Sequence, residues 1–262
     1  MEYSDQGSLF NLISNYLQKD MSLKETEALG IFKQVLTGVA HIHNTKIEGK
    51  VIQHRDIKIE NILKVGNSFK ICDFGSCSTE TLDLKSNNKT LIKSQFSIYE
   101  KTTTFIYRPP EMIDEYSKFF INEKVDIWML GCVLYTMLYK KHPFMDADRC
   151  TIINFFPDSE TNKIVYSEKI QDLIRYCLTQ NPEERPSTKD LLAILNNWNN
   201  AEIILSKSSL EIKKKQKESD DVKNKSSSYS PISIDDLKKA QESIMKKHKS
   251  KYKDSDKGNF IN

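Results

Sequence analysis

The stretch His54-Arg55-Asp56-Ile57-Lys58-Ile59-Glu60-Asn61 puts a carboxylate, an ammonium group and an amide close together, and Asp73-Phe74-Gly75 follows twelve positions after Asn61. Moving a phosphoryl group needs three things: a carboxylate beside the attacking hydroxyl, oxygen ligands for magnesium, and positive charge at the migrating group. Asp56, Lys58, Asn61 and Asp73 are the residue types that supply them. On an extended backbone Lys58 lies on the same side as Asp56, because side chains two positions apart share a face. Singly, each residue is ordinary: Asp56 a loop cap, Lys58 a solvated cation, Asp73 a turn residue before glycine. As a set they can hold a magnesium-bound nucleotide and a hydroxyl substrate in one cleft.

The elements that must position this set are mostly helical. Residues 8–19 and 22–44 carry apolar side chains at helical spacing; in the second, Leu29, Phe32, Val35, Leu36, Val39 and Ile42 form a broad stripe that predicts core packing. Ser22 with Glu25 three positions on predicts a capping box at its start. Between residues 51 and 75, Val51-Ile52, Ile62-Leu63 and Phe69-Lys70-Ile71-Cys72 read as short strands, with Gly66-Asn67 turning between the last two. Residues 76–103 are rich in Ser, Thr, Asn and Lys and predict a long loop. Residues 124–140 are almost continuously apolar and predict a fully buried helix. Two amphipathic helices follow over 167–179 and 187–198, joined through Asn181-Pro182.

At 262 residues the chain is long enough for a sizeable core, and 29% charged residues with a net charge of +3 give no argument for nucleic acid. Residues 201–262 hold 15 Lys against 10 Asp plus Glu, so the tail is about +5 and the first 200 residues about −2. Five cysteines (72, 77, 132, 150 and 177) contain no Cys-x-x-Cys pair, which predicts reduced thiols in a cytosolic or nuclear setting and no structural zinc site. Cys72 and Cys77 read as small core residues. His41, His43 and His142 read as structural or surface residues. No run of about 18 apolar residues spans a membrane.

His-Arg-Asp-x-x-x-x-Asn followed by Asp-Phe-Gly resembles the catalytic signature of protein kinases. The resemblance implies ATP and Mg2+ as cofactors, with Asp56 accepting the substrate hydroxyl proton, Lys58 meeting the γ-phosphate, and Asn61 and Asp73 binding magnesium. Phe105-Ile106-Tyr107-Arg108-Pro109-Pro110-Glu111 resembles the end of the activation segment, with Pro109 replacing the usual alanine. Glu111 is then expected to pair with Arg185, and Asp126, in an apolar helix, to accept hydrogen bonds from the catalytic-loop backbone. Thr104 falls where serine/threonine kinases place a threonine touching the catalytic Asp and Lys. Arg55 in many kinases clamps a phosphorylated loop. His54, Phe74 and Gly75 complete the supporting set.

Gln53 through Asp56, Cys72 before Asp73, Ser76 after Gly75, Lys101-Thr102-Thr103-Thr104, Tyr107-Arg108, Glu123 through Trp128, and Leu173-Ile174-Arg175-Tyr176 together resemble the Numb-associated kinases. That group includes the adaptor-associated, cyclin-G-associated and yeast actin-regulating kinases. It implies serine and threonine substrates on endocytic adaptor and actin-linked proteins, in the cytoplasm or at endocytic and vesicle membranes.

The resemblance covers residues 1–198 and starts at the hinge between kinase lobes, where the Glu2 carbonyl and Ser4 amide would face adenine. The expected fold is mainly α: a large C-terminal kinase lobe with a few short strands, no N-terminal lobe, and a disordered Lys/Ser-rich tail over 199–262. Upstream of the hinge no Gly-rich loop, strand lysine or αC glutamate is present, so an exposed apolar face is expected where a small lobe or partner would dock. A short helix at 233–247 could contact acidic lipid. Two classes of function stay open: a serine/threonine kinase in truncated form, or a non-catalytic kinase-derived interaction module.

Overall fold

Residues 124–139 offer no polar stripe, so a helix formed by them has to be surrounded. In the computed structural model, which describes residues 4, 6–144, 166–201 and 205, it is. Helix α4 (Lys124–Tyr139) has every residue from Val125 to Leu138 buried. Helices α2 (Glu25–Asn44), α5 (Glu168–Cys177) and α6 (Thr188–Asn196) build the core with it: α2 packs on α4 and α6, and α5 lies on α4. The α4–α5 approach is close enough to require Gly131, since a Cβ there would sit 2.8 Å from Cys177 Cβ. Helix α1 (Leu9–Gln18) buries Leu9 and Ile13 and packs against the short 3-10 turn at Ile59–Asn61.

Among the described residues the strands occur as three antiparallel pairs. Strands β1 (Lys46–Ile47) and β2 (Lys50–Val51) join through Glu48-Gly49, both at positive φ. Strands β3 (Ile62–Val65) and β4 (Ser68–Ile71) join through Gly66-Asn67, with Gly66 at φ 58°. Strands β5 (Leu82–Asp83) and β6 (Phe120–Ile121) close a longer excursion. The mainly α expectation with short strands therefore matches the described residues, and β3–β4 adopts the predicted turn.

Two expectations need correction. Residues 76–103 are not one long loop: they contain β5 and a fourteen-residue helix, α3 (Lys89–Thr102), with Asn88 accepting from Leu91 N–H at its start. Its signal is Ile92, Phe96 and Tyr99 at helical spacing, diluted by the Ser, Thr and Lys between them. The second correction concerns α2, whose N-cap is Lys24 without a side-chain cap. Glu25 turns instead to the start of α5, accepting from Ser167 N–H (3.0 Å) and Ser167 Oγ–H (2.7 Å). Cys150, Glu2 and the 233–247 segment lie outside the described residues.

Candidate active site

A carboxylate in the middle of the core anchors the site. Asp126 on α4 is fully buried and accepts three hydrogen bonds, each 2.8 Å long. The His54 N–H bonds Oδ2, the Arg55 N–H bonds Oδ1, and His43 Nε2 on α2 also reaches Oδ2. Burial alone would raise the Asp126 pKa, but these donors outweigh it and hold the group below the ordinary carboxylate value. Two successive backbone N–H groups can meet one carboxylate because Arg55 adopts the left-handed region, φ 66°. That conformation costs about 1–2 kcal/mol in a non-glycine residue, and Asp126 is what holds it.

The chain leaving Arg55 delivers Asp56 into a cluster. Asp56 Oδ1 accepts from Thr104 N–H (3.0 Å) and Thr104 Oγ1–H (2.7 Å). Asp56 Oδ2 accepts from Lys58 Nζ (2.8 Å) and Asn61 Nδ2 (3.1 Å). Lys58 Nζ also donates to Thr104 Oγ1 at 2.8 Å, closing a triangle of Asp56, Lys58 and Thr104. Asn61 Nδ2 reaches the Asp56 carbonyl as well, at 2.9 Å. All four acceptor positions of the Asp56 carboxylate are thus taken. His54 sets the loop's course: Nε2 bonds Cys72 O at 3.2 Å and Nδ1 takes the Asp56 N–H at 3.3 Å, a pattern that assigns its proton to Nε2.

Asp73 lies at the end of the β3–β4 hairpin, where Cys72 N–H donates to Asn61 O at 2.9 Å and so ties the two segments together. It stands at φ 63° with an exposed carboxylate, one oxygen accepting from Gly75 N–H at 3.3 Å. Phe74 is 55% exposed and rests its ring 5.3 Å from that of His54. The donor set suits magnesium. The Asn61 amide nitrogen spends both hydrogens on Asp56, which leaves its oxygen to coordinate a cation. An amide oxygen of Asn61 and a carboxylate of Asp73 are the hard oxygens that magnesium takes when water and phosphate complete its shell.

The segment that carries Thr104 is fastened at both ends. Before it, Arg108 donates to Thr103 Oγ1 (2.6 Å), Tyr99 O (2.9 Å) and Thr103 O (2.9 Å), gripping the last turn of α3. After it, Glu111 and Arg185, both without exposure, form a two-pronged pair at 2.7 and 3.0 Å. Arg55 is buried beneath α3, bonded to Gln53 Oε1 (3.0 Å) and the Glu80 carbonyl, with its guanidinium 5.4 Å from the Tyr99 ring centre.

The structure therefore brings together Asp56, Lys58, Asn61 and Thr104, supports them with His54, Arg55 and Asp126, and sets Asp73-Phe74-Gly75 alongside. Ser4 lies apart from them, its hydroxyl on Gly7 O and Lys64 O; Glu2 lies outside the described residues. His43, read as structural or surface, is the structural partner of Asp126, 83 positions away, which no local spacing could reveal. Cys72 and Cys77 are half-buried; burial raises both thiols, Cys77 to about 11, so neither is a ready nucleophile at neutral pH.

Residues 1–195 match the protein kinase domain. A protein of Dictyostelium discoideum described as a probable serine/threonine-protein kinase is 38% identical over 198 residues, covering 75% of this chain and 24% of its own length. Actin-regulating kinase 1 of Saccharomyces cerevisiae is 39% identical over 200 residues, covering 73% of this chain and 29% of its own length. The chain spans about a quarter of the length of these relatives. On the match across most of its length, the chain belongs to the protein kinase domain family.

Proposed function

We propose that this chain carries the phosphotransfer centre of a serine/threonine protein kinase of the Numb-associated group, acting on hydroxyls of endocytic or actin-linked proteins in the cytoplasm or at vesicle membranes. The observation that carries the reading is the closed set of hydrogen bonds among Asp56, Lys58, Thr104 and Asn61. Serine/threonine relatives support the substrate class, and the name of the yeast relative, an actin-regulating kinase, supports an actin link.

In this reading Asp56 is the base. Its carboxylate already holds four donors, so an arriving substrate hydroxyl displaces one of them. Lys58 is the donor on a long flexible stem, and it is drawn off toward the phosphoryl group, where its charge is needed. That exchange frees Asp56 Oδ2 for the hydroxyl proton while Thr104 keeps Oδ1 fixed. Asn61 and Asp73 would hold Mg2+, which neutralises phosphate charge when bound. That the Glu2 carbonyl and the Ser4 amide would face adenine, and the 1–198 domain boundary, belong to the same reading.

The test is transfer from ATP to a threonine-containing peptide by the protein as produced in its own cells. Transfer that falls at least about a thousandfold with Asp56→Asn is expected. Transfer untouched by that substitution sinks the reading.

A further inference from the structure

Between α3 and the turn after Glu111 lies an open groove of about 460 Å³, within the range of ligand clefts. Its apolar lining is Phe96, Ile113 and Tyr116, the last 75% exposed. Its charged lining is Glu100, Asp114 and Glu115 against a single Lys93. Neither wall is free to collapse. Arg108 grips the α3 side through Tyr99 O and Thr103 O. The other side folds back on itself through Ile113 N–H and Asp114 N–H to Pro110 O, directly beside the Glu111 anchor.

Both walls come from the segment that holds Thr104 against Asp56. Glu100 is four residues before Thr104, so at most about 14 Å of chain separates the groove wall from the site. A segment lying in the groove therefore rests on the same stretch of chain that carries Thr104 to Asp56. The three carboxylates favour cationic side chains there, and Phe96, Ile113 and Tyr116 accept an apolar one between them.

We propose that this groove docks a basic segment of the protein substrate, with arginine or lysine at the acidic rim and an apolar side chain on the floor. The proposal rests on the kinase reading for the word substrate, but its test is read without ATP. The probe is a short fluorescein-labelled peptide of alternating arginine and leucine, titrated by anisotropy with the 262-residue chain. Saturable binding is expected, weakened about tenfold when Glu100→Lys and Glu115→Lys are combined, and little changed by Glu183→Lys on another exposed surface.

Equal binding by the parent and the double variant overturns the proposal, as does an equal loss with Glu183→Lys, which would mark bulk charge alone. Tight binding of a glutamate-for-arginine peptide overturns it too. A peptide of residues 207–219 is the second probe; if it binds more tightly than the arginine–leucine peptide, the occupant is the chain's own tail and the substrate assignment falls. The same peptide lengthened by a threonine, if it binds but receives no phosphate from the active protein, speaks against the kinase reading and leaves the groove in place.

Discussion

Arg185 and Glu111, 74 positions apart, meet as a two-pronged ion pair that solvent does not reach. Every N–H of the Arg185 guanidinium has an acceptor: Glu111 Oε1 and Oε2, and the carbonyls of Thr179, Lys124 and Gln180. The guanidinium carbon also lies 5.2 Å from the Trp128 ring centre on α4. The pair thus fixes the turn that ends the Thr104 segment to the helical core. Removing one partner strands the other charge in an apolar interior, so Arg185→Met should cost about 3–5 kcal/mol. Arg185→Met combined with Glu111→Leu should recover part of that loss. Urea denaturation checks both; a single variant as stable as the parent would show that the pair is dispensable.

Thr104 makes a narrower prediction. Its hydroxyl donates to Asp56 and accepts from Lys58, so Thr104→Val removes two contacts at the centre while keeping the shape. Transfer by the active protein should fall about tenfold to a hundredfold, and Thr104→Ser should restore most of it. Thermal stability should move by less than about 1 kcal/mol, because the segment stays fastened by Arg108 and Glu111. A valine variant with full activity would remove Thr104 from the positioning set.

The 262 residues taken alone should transfer phosphate negligibly. On the proposed reading Asp56 is the base and Asn61 and Asp73 would hold magnesium, but the 262 residues contain no Gly-x-Gly stretch to cover the nucleotide phosphates. Phe74 is more than half exposed beside His54. The measurement is ATP-dependent phosphorylation by the purified 262-residue polypeptide. A robust rate that disappears with Asp56→Asn would show that these residues suffice.

Asp126 gives the pH dependence. Its carboxyl is held below the ordinary value of 3.8 by His43, His54 N–H and Arg55 N–H, against the effect of burial. A depressed pKa means that the ionised form stabilises the fold. That contribution is complete above the unfolded pKa and is lost as pH falls through the folded one. The stability gap between the parent and Asp126→Asn should therefore be present at about pH 5 and narrow below about pH 4. A gap that widens on acidification would reverse the sign.

Much of this site was legible because its chemistry is local. Asp56, Lys58 and Asn61 sit on one short loop, and the apolar run over 124–140 could only be a buried helix. What the sequence hid is what depends on distant partners or diluted periodicity. The Asp126–His43 contact joins positions 83 apart. Helix α3 hides its three apolar contacts among polar residues, so its composition reads as loop although Asn88 caps it and Tyr99 seats it. Ser22 and Glu25 show the opposite failure. Their spacing fits a capping box, yet tertiary contact drew Glu25 to Ser167 instead.

Arg55 and Tyr99 decide how the segment is held in place. Arg55 faces Gln53 Oε1, the Glu80 carbonyl and the Tyr99 ring, all protein groups, in a buried position. A phosphate on the segment would have to displace these contacts before it reached the guanidinium. The ring face does the holding, since the Tyr99 hydroxyl is buried without a hydrogen-bond partner among the described residues. Tyr99→Phe should accordingly be neutral or stabilise by up to about 1 kcal/mol, because it removes an unsatisfied buried hydroxyl. Tyr99→Ala should destabilise by about 3–5 kcal/mol through the cavity it leaves, and should expose the Thr104 segment to limited proteolysis. If Tyr99→Phe were as damaging as Tyr99→Ala, the hydroxyl and not the ring would be the holding group.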